Sequence, residues 1–386
     1  MLPASTEVLI VGAGPTGLSL ALGLAMRGVP FLLVDRLAEG QNTSRAAVLH
    51  ARTLECLEGA GVVPRLVAQG LKVQRAGIYD RDRRLLTLSF GSLATAYPFL
   101  LMLPQDMTES ILGDRLRELG GGVVRPIEIL DLSIRSDGVL ATVAMGEGMP
   151  SGTIRARWIV GCDGMHSIVR QRAGIGFAGG PYQESFILAD VRLSGRLGPD
   201  ALRLFLSKAG MMLMAPLPGH RFRIVATVDD APERPDMEDV QRLLDGRGPS
   251  TAPERVESVL WSSRFRIHHR VADRFRKGRV LLAGDAAHVH SPAGGQGMNI
   301  GIQDALALAP ALAAAYSGGD ADAVLRRYDA QRRPIAEDVV RLTDRMTRVA
   351  TLHDGPARLR NLVLRLLDHV GPVKRRIAHR IAELNY

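Results

Sequence analysis

A glycine-rich turn near the amino terminus constrains the fold of this chain more than any other feature. The β-branched run at residues 7–11 leads into Gly12-Ala13-Gly14-Pro15-Thr16-Gly17, a helix of small residues follows, and a second apolar run ends at Asp35. In such a unit the first glycine permits a tight turn, the second lets a pyrophosphate approach the backbone, and the third lets the helix pack on the sheet. The positive end of the helix attracts the anion, and Asp35 is placed to bind a ribose. The complete strand–turn–helix–strand order therefore predicts dinucleotide binding.

A second match to the glycine pattern, at residues 174–179, lacks this context. It follows a basic run at residues 170–172 instead of a strand, and Gly180-Pro181 blocks a helix after it. We interpret the second match as a loop between domains, and we expect one dinucleotide-binding unit in the chain.

Two distant segments repeat the design of an apolar strand followed by a turn that contains an aspartate. Residues 158–161 lead to Cys162-Asp163-Gly164, and residues 280–283 lead to Gly284-Asp285. The later segment continues through Pro292 and the glycines of residues 294–297 into a long helix. Ligands of open α/β sheets bind at the carboxyl ends of strands, where such aspartates meet ligand hydroxyls. The glycines let backbone N–H groups line a flat ligand.

These three motifs resemble those of the single-component (class A) FAD-dependent monooxygenases of the para-hydroxybenzoate hydroxylase type. Cys162-Asp163-Gly164 resembles the second motif of that family, and Gly284-Asp285 with Gly295-Gln296-Gly297 resembles the third. Two further stretches look like ones that reach the flavin. The first runs from Ser44-Arg45-Ala46 through Leu49-His50 to Arg52-Thr53-Leu54-Glu55, and the second is Leu103-Pro104-Gln105. The resemblance runs from about residue 8 to residue 334 and implies non-covalent FAD, with NAD(P)H as co-substrate.

The resemblance also implies how FAD is held. Asp35 would bind the adenosine ribose, Asp285 the ribityl hydroxyls, and the backbone at residues 297–299 the pyrimidine edge of the flavin. Asp163 and Gly164 would support FAD and touch the nicotinamide cofactor. The residues expected to contact FAD are Gly12, Gly14, Pro15, Thr16, Gly17, Asp35, Arg36, Arg45, Gln105, Asp163, Gly164, Gly284, Asp285, Pro292, Gly295, Gly297, Met298 and Asn299.

The family implies a reaction in which NAD(P)H reduces FAD, O2 adds at the flavin C4a, and one oxygen atom passes from this hydroperoxide to an electron-rich aromatic or polyketide-like substrate. The backbone at Pro292 and Gly295 would cradle the C4a site. NAD(P)H would bind in an exposed groove lined by arginine. A flavin oxidase or epoxidase, a related flavin reductase, and a flavin-binding partner without turnover remain alternatives.

The substrate side is less defined by the sequence. Arg223 resembles a family arginine near the flavin, although an exposed strand arginine fits the pattern equally well. The methionine cluster with Met212 and Met214, followed by Pro216, predicts either core filling or an adaptable wall of the substrate pocket.

We therefore expect an α/β fold with three parts. A discontinuous, Rossmann-like three-layer FAD-binding domain would comprise residues 1–72, 101–176 and 270–320. A mostly antiparallel β-sheet substrate domain would comprise residues 73–100 and 177–269, where apolar and polar residues alternate. Residues 321–386 would form a helical region packed on the core or at a dimer contact, so a homodimer is an open expectation.

Composition narrows the partners. The net charge is +9, but the arginines are scattered and aromatic residues are only 4%, which disfavours nucleic-acid binding. The most apolar windows, residues 8–26 and 305–316, are interrupted by glycine or proline, so we expect no membrane span. His288 and His290 lack further ligands at metal-binding spacing, so no metal is expected. Two cysteines, Cys56 and Cys162, fit a reducing, cytoplasmic setting.

Overall fold

A computed structural model describes residues 3–40, 46–146, 152–195, 197–229, 231–352 and 354–386, without the side chains of Gln183, Glu184 and Asp354. Arg45, which the sequence analysis places at the flavin, lies outside the described residues. The family resemblance predicted a mixed α/β fold with a helical carboxyl-terminal region, and the structure confirms that class.

The strands and helices follow one another along the chain with two short 3-10 turns, at Glu58–Ala60 and Gly284–Ala286. The strands are β1 (Ser5–Val11), β2 (Phe31–Val34), β3 (Val48–Leu49), β4 (Leu71–Val73), β5 (Arg75–Asp80), β6 (Arg83–Ser89), β7 (Leu100–Met102), β8 (Val123–Val124), β9 (Glu128–Ile134), β10 (Val139–Ala144), β11 (Gly152–Gly161), β12 (Phe177–Ser194), β13 (Ala201–Ser207), β14 (Gly210–Leu217), β15 (Arg221–Val228), β16 (Arg255–Ala272), β17 (Arg276–Lys277), β18 (Val280–Leu282) and β19 (His288–Val289). The helices are α1 (Pro15–Ala25), α2 (Ala51–Leu57), α3 (Val63–Gln69), α4 (Gln105–Glu118), α5 (Ile168–Arg172), α6 (Met237–Arg247), α7 (Gly297–Tyr316), α8 (Ala321–Ala350), α9 (Asp354–Asp368) and α10 (Gly371–Ile381).

The first sheet brings the three motifs to one edge. Its order is β17-β18-β11-β1-β2-β8, and β18, β11, β1, β2 and β8 run parallel to one another. At its margins β17 pairs antiparallel with β18, and β10 pairs antiparallel with both β11 and β9. Parallel strands share the edge at which they end, so the turns that start at Gly12, Cys162 and Gly284 all lie at the carboxyl edge of this sheet. The last four residues of β1 and of β11 are apolar or glycine and buried, as expected for a sheet covered on both faces.

The second sheet is mostly antiparallel and runs in the order β19-β16-β12-β15-β14-β13-β5-β6, with β13 and β5 parallel. Helix α6 packs on one of its faces. A small third sheet of β3, β7 and β4 lies between the predicted domain segments. The division into residue segments stays a prediction. Strands β4, β7 and β16 each extend across one of its boundaries, and β19 from the third FAD segment pairs with β16 in the second sheet.

The second glycine match is not wholly a loop. Its last three residues, from Phe177 to Gly179, already belong to β12, so that part of our interpretation is wrong. Gly179 has φ +127°, and a Cβ there would lie 1.8 Å from the His269 carbonyl oxygen of β16. The glycine therefore serves close strand packing, a use that its spacing alone does not reveal.

Helix α7 is the long apolar helix of the core. A Cβ added at Gly23 of α1 would lie 2.5 Å from the Ala309 side chain, so α1 and α7 pack in near backbone contact. By length and composition α7 could cross a bilayer. The sequence alone had led us to expect no membrane span in any apolar stretch. In the structure 61% of its most apolar stretch is buried inside the protein, as in a core helix.

Candidate functional site

The first glycine turn is built by backbone packing. Gly12 has φ +98°, and a Cβ there would lie 2.4 Å from the Cys162 carbonyl oxygen of the second motif. A Cβ at Gly17 would lie 1.9 Å from the Gly12 carbonyl oxygen. At Gly14, by contrast, a Cβ would meet nothing within 4 Å. Two of the glycines are thus required by the fold, and Gly14 leaves open space at the start of α1.

Asp35 holds this turn from the side. Its Oδ2 accepts a hydrogen bond of 2.7 Å from the Ala13 N–H, and its Oδ1 accepts one of 2.9 Å from the Leu37 N–H. Arg125 lies 3.4 Å from Oδ1. Arg36 is exposed beside it. The carboxylate expected to bind ribose is therefore already oriented by the loop that it follows.

Thr16 joins the first motif to the third. A Cβ added at Gly284 or at Gly301 would lie 2.5 Å from the Thr16 hydroxyl oxygen. Gly284 has φ +62° and begins the 3-10 turn that carries Asp285, which is exposed at this edge. The first helix, the third turn and α7 therefore meet around one threonine side chain.

A buried charge network fixes the third turn, and the sequence analysis missed it. Asp304 of α7 accepts hydrogen bonds from Arg332 Nε and the Gly284 N–H, and its Oδ2 lies 2.6 Å from His288 Nε2. Burial raises the pKa of Asp304, but the charges of Arg332 and His288 outweigh it, so its pKa lies below its usual value. The only sequence signal was a single aspartate inside the apolar helix α7.

The loop before α7 is held by two side chains of different segments. His50 Nε2 lies 2.8 Å from the Gly294 carbonyl oxygen, which can only accept, so this nitrogen carries the proton. Burial lowers the pKa of His50 to about 4, so the ring is neutral. Asn299 donates to the Val48 and Gly295 carbonyls and accepts from the His50 N–H. Sequence reasoning assigned Asn299 to the flavin, and it placed His50 in a stretch that reaches the flavin without giving that side chain a role.

The first turn of α7 lacks a side-chain cap. Gln296 is its N-cap residue and makes no capping hydrogen bond, and Gly294 and Gly295 both have positive φ. The first N–H groups of a helix have no partner within the helix. The backbone at Gly297, Met298 and Asn299 therefore presents donors and a positive potential at this end.

The second motif is more structural than the sequence suggests. Asp163 is half-buried, its Oδ2 accepts from the Val169 N–H at 3.3 Å, and burial raises its pKa. Gly164 has φ +78° with open space around it. Arg170 of α5 donates to the carbonyls of Ala286 and Met165, which joins the second motif to the third.

The Arg223 side chain is buried, so the alternative of an exposed strand arginine is wrong. Its Nε and Nη2 each lie 2.7 Å from a carboxylate oxygen of Asp190, and its Nη1 donates to the Ala46 carbonyl at 3.0 Å. Gln105 contacts the same segment, because its Oε1 accepts from the Ala46 N–H at 3.4 Å. The second sheet thus touches the chain at Ala46, where the described residues resume after residue 40.

Met212 and Met214 have no exposed surface and pack with Val240 and Leu244 of α6. Pro216, on the same side of β14, is also buried. The pocket-wall interpretation of these residues is therefore wrong, and core filling holds. Side chains alternate along a strand, so the opposite face of β14 carries Leu213, Ala215 and Leu217. The sequence could not tell which face α6 covers.

These observations fit FAD at the carboxyl edge of the first sheet. The space beside Gly14 can hold a group of the cofactor, and a Cβ at this residue would fill that space. Helix α7 presents its uncapped N-terminus at the same edge. Asp35 and Asp285 lie beside these features as acceptors for hydroxyl groups. Within the described residues no group of three potential metal ligands occurs.

Comparisons with known proteins agree with this geometry. The family described as "FAD binding domain" matches residues 5–343. A 6-methylpretetramide 4-monooxygenase from Streptomyces rimosus is 40% identical over 382 residues, which cover 97% of this chain and 68% of that protein.

Two solved structures share the fold. The anhydrotetracycline hydroxylase from Streptomyces rimosus has 35% identity and a TM-score of 0.81, with 99% of this chain and 76% of that chain covered. The p-nitrophenol 4-monooxygenase from Pseudomonas putida DLL-E4 has 24% identity and a TM-score of 0.86, with 99% of both chains covered, and it supports the fold alone.

The glycines of the first turn give a matched pair of variants. We expect Gly17→Ala to unfold or aggregate, because its Cβ would overlap the Gly12 carbonyl oxygen. Gly14→Ala should keep its thermal midpoint within about 3 °C, yet bind FAD more weakly, since the new methyl group fills the open space. Thermal unfolding of both proteins and FAD titration of Gly14→Ala measure this. Equal FAD affinity in Gly14→Ala and the wild type would contradict the assignment.

Asp304→Asn should lower the free energy of unfolding at pH 7 by about 3–5 kcal/mol, because it leaves the buried Arg332 charge unpaired. The folded pKa of Asp304 is depressed, so its contribution is complete above the ordinary aspartate pKa and is lost as pH falls through the folded value. Urea unfolding is measured from pH 7 to pH 3. The difference in unfolding free energy between the wild type and Asp304→Asn should become smaller below about pH 4. Asp322→Asn is the control, because the Asp322 side chain that pairs with Arg276 is exposed. It should change the free energy of unfolding little.

Proposed function

This chain belongs to the single-component FAD-dependent aromatic monooxygenases, and we propose that its substrate is a phenolic ring of a fused-ring, polyketide-like compound. The chain is an FAD-dependent hydroxylase that uses NAD(P)H, as its family establishes. Support for the substrate class comes from relatives that are named for tetracycline-type compounds.

The FAD-dependent function rests on one observation. Two open backbone sites lie at the carboxyl edge of the first sheet. Gly14 offers space for the pyrophosphate at the start of α1, and the start of α7 offers N–H groups. When bound, FAD supplies the redox chemistry with NAD(P)H and O2. The α7 N-terminus would stabilise negative charge at the pyrimidine edge by about 1 kcal/mol, and the backbone at Pro292 and Gly295 would border the reacting face.

The protein's own role near the substrate is to orient and to exclude water. The buried Arg223–Asp190 pair ties the substrate-side sheet to the Ala46 segment. Both charges are satisfied by each other, so Arg223 positions this segment. We assign no acid–base residue to the reaction.

For NAD(P)H we propose a binding surface beside the second motif, defined by His166, His268 and Arg270. Burial, Arg270, His166 and His269 all lower the pKa of His268. The guanidinium groups of Arg170 and Arg270 lie 3.8 and 5.9 Å from the Phe177 ring centre. Within the described part of the chain, His268 Nδ1 and Arg270 Nε are buried without a hydrogen-bond partner. Donors and cations of this kind suit a pyrophosphate.

The reaction can be tested with purified, FAD-loaded protein, NADPH, 18O-labelled O2 and a panel of phenols and polycyclic phenols. We expect the right substrate to accelerate NADPH consumption and to gain one labelled oxygen atom. Hydrogen peroxide without labelled product from every compound would indicate an oxidase. Absence of flavin reduction would indicate a binding role instead.

Arg270→Ala is the matched variant for this assay. It should raise the KM for NADPH about tenfold while leaving the Kd for the aromatic substrate unchanged, because one buried charge-assisted contact is removed. An unchanged KM for NADPH would contradict the proposed nicotinamide surface.

We also propose that two copies of the chain pair through α9. The side chains of Leu359, Leu362, Val363 and Leu366 are 43–63% exposed. Their spacing is symmetric about the point between residues 362 and 363, so an antiparallel copy would place Leu359 against Leu366 and Leu362 against Val363. A two-fold interface requires such a self-complementary patch.

The exposed apolar area supports a dimer of modest strength. The four α9 side chains and the neighbouring Val349, Leu352 and Val370 are exposed together. They offer on the order of 500 Å2 per copy, and with a polar rim this approaches the roughly 800 Å2 per partner of a standard interface.

Light scattering after size exclusion tests the pairing. The wild type should have twice the mass of 41.7 kDa, and Leu362→Glu should return it to a single chain. Met237→Glu, at an exposed residue of α6, is the control and should not change the mass. A wild-type monomer at micromolar concentration would contradict the pairing.

A reducing, cytoplasmic setting is part of the same proposal. Cys56 and Cys162 are both free thiols. Burial raises the pKa of each thiol, so neither forms a reactive thiolate readily.

A further inference from the structure

The last residues of the chain dock beneath two segments of the site. After α10 ends at Ile381, the Ile381 carbonyl accepts a hydrogen bond of 3.1 Å from Gln296 Nε2. The Ala382 carbonyl accepts one of 3.3 Å from the Arg52 N–H at the start of α2. We refer to residues 381–383 as the C-terminal anchor. Its backbone therefore contacts both the N-cap of α7 and the start of α2.

Glu383 secures this anchor with a side chain that has no exposed surface. Gln303 Nε2 lies 2.5 Å from its Oε2, and the Thr53 hydroxyl lies 3.5 Å from the same oxygen. Among the described residues, Oε1 is buried without a hydrogen-bond partner. The backbone of Glu383 has φ +62°, a left-handed conformation that is unfavourable for a residue other than glycine.

The electrostatics of Glu383 also oppose its position. Burial raises the pKa of this carboxyl well above its usual value, and the Gln303 amide, the Arg332 charge and the Thr53 hydroxyl lower it only in part. A buried carboxyl and a left-handed backbone are both unfavourable for stability. Features of this kind persist where the surrounding structure demands them, often at functional sites.

The anchor reaches the two segments expected to border the flavin. Gln296 lies between Gly295 and Gly297, whose backbone forms the loop before α7. Arg52 lies two residues after His50. The His50 ring binds the Gly294 carbonyl oxygen of the same loop. Asn299 joins these segments from the opposite side through the Val48 and Gly295 carbonyls. The loop is therefore clamped between Asn299 with His50 and the C-terminal anchor.

We propose that Glu383 is a positioning residue for FAD, which holds the C-terminal anchor so that the loop at residues 294–297 keeps the conformation that binds the cofactor. The proposal rests on the proposed function, because it takes this loop to face FAD. Coupling between two sites is reciprocal. FAD must therefore stabilise the anchor as much as the anchor stabilises bound FAD.

A purely structural role makes a different prediction. An anchor that only adds stability would lower the unfolding midpoint of the protein with and without FAD by the same amount, and the FAD affinity would not change. A positioning role changes the FAD affinity itself. The two roles are separated by measuring affinity and apoprotein stability on the same variants.

The experiment titrates the full-length apoprotein with FAD and follows flavin fluorescence. Glu383→Ala should raise the Kd for FAD about tenfold. Glu383→Gln keeps an oxygen that can accept from Gln303 but has no titrating group. Its Kd for FAD should stay within about twofold of the wild-type value. Asn385→Ala, at an exposed residue whose side chain contacts only His379 in the described contacts, is the matched control and should not change the Kd.

The outcomes are distinct. If the wild-type apoprotein takes up no FAD, the proposed function is overturned. If the wild type binds FAD and Glu383→Ala binds it with the same Kd, this inference is overturned. If Glu383→Ala does not fold, hydrogen exchange of the wild type decides. FAD should then slow exchange at the amides of residues 381–386, and an unchanged exchange rate there overturns the proposal.

Discussion

The site depends on direct contact between the first glycine turn and the other two motifs. Gly12 lies against the Cys162 carbonyl, and Thr16 lies against Gly284 and Gly301. There is no room for a side chain at these contacts, so three segments separated by more than a hundred residues each share one edge of the sheet. The open space at Gly14 and the uncapped start of α7 follow from this packing.

Buried polar groups then determine the orientation of the third motif. Asp304 binds Arg332, His288 and the Gly284 N–H at once, and Asn299 and His50 hold the loop before α7. Such groups contribute little net stability when they are paired, but they are unfavourable in any other arrangement. They therefore specify one conformation of the turn, which a site for a rigid ring system requires.

The local part of this site could be predicted from the sequence. The glycine turns, Asp35 and Asn299 carry their chemistry in short motifs, because a turn or a helix start needs particular residues at fixed spacing. The roles of His50, Asp304 and Glu383 could not be found in this way, since their partners are 16 to 330 residues away along the chain. The burial of Arg223 and the orientation of Met212 depend on which face of the second sheet α6 covers, and alternation along a strand leaves that undetermined.

The central claim is that one edge of the first sheet holds both halves of a single FAD. Calorimetric titration of the apoprotein with FAD and, separately, with FMN tests it most directly, because FMN lacks the adenylate half that the first glycine turn would bind. We predict one FAD per chain and at least a hundredfold weaker binding of FMN, the difference expected when several phosphate and ribose contacts are lost. Equal affinity for the two flavins, or no binding of either, would contradict the account.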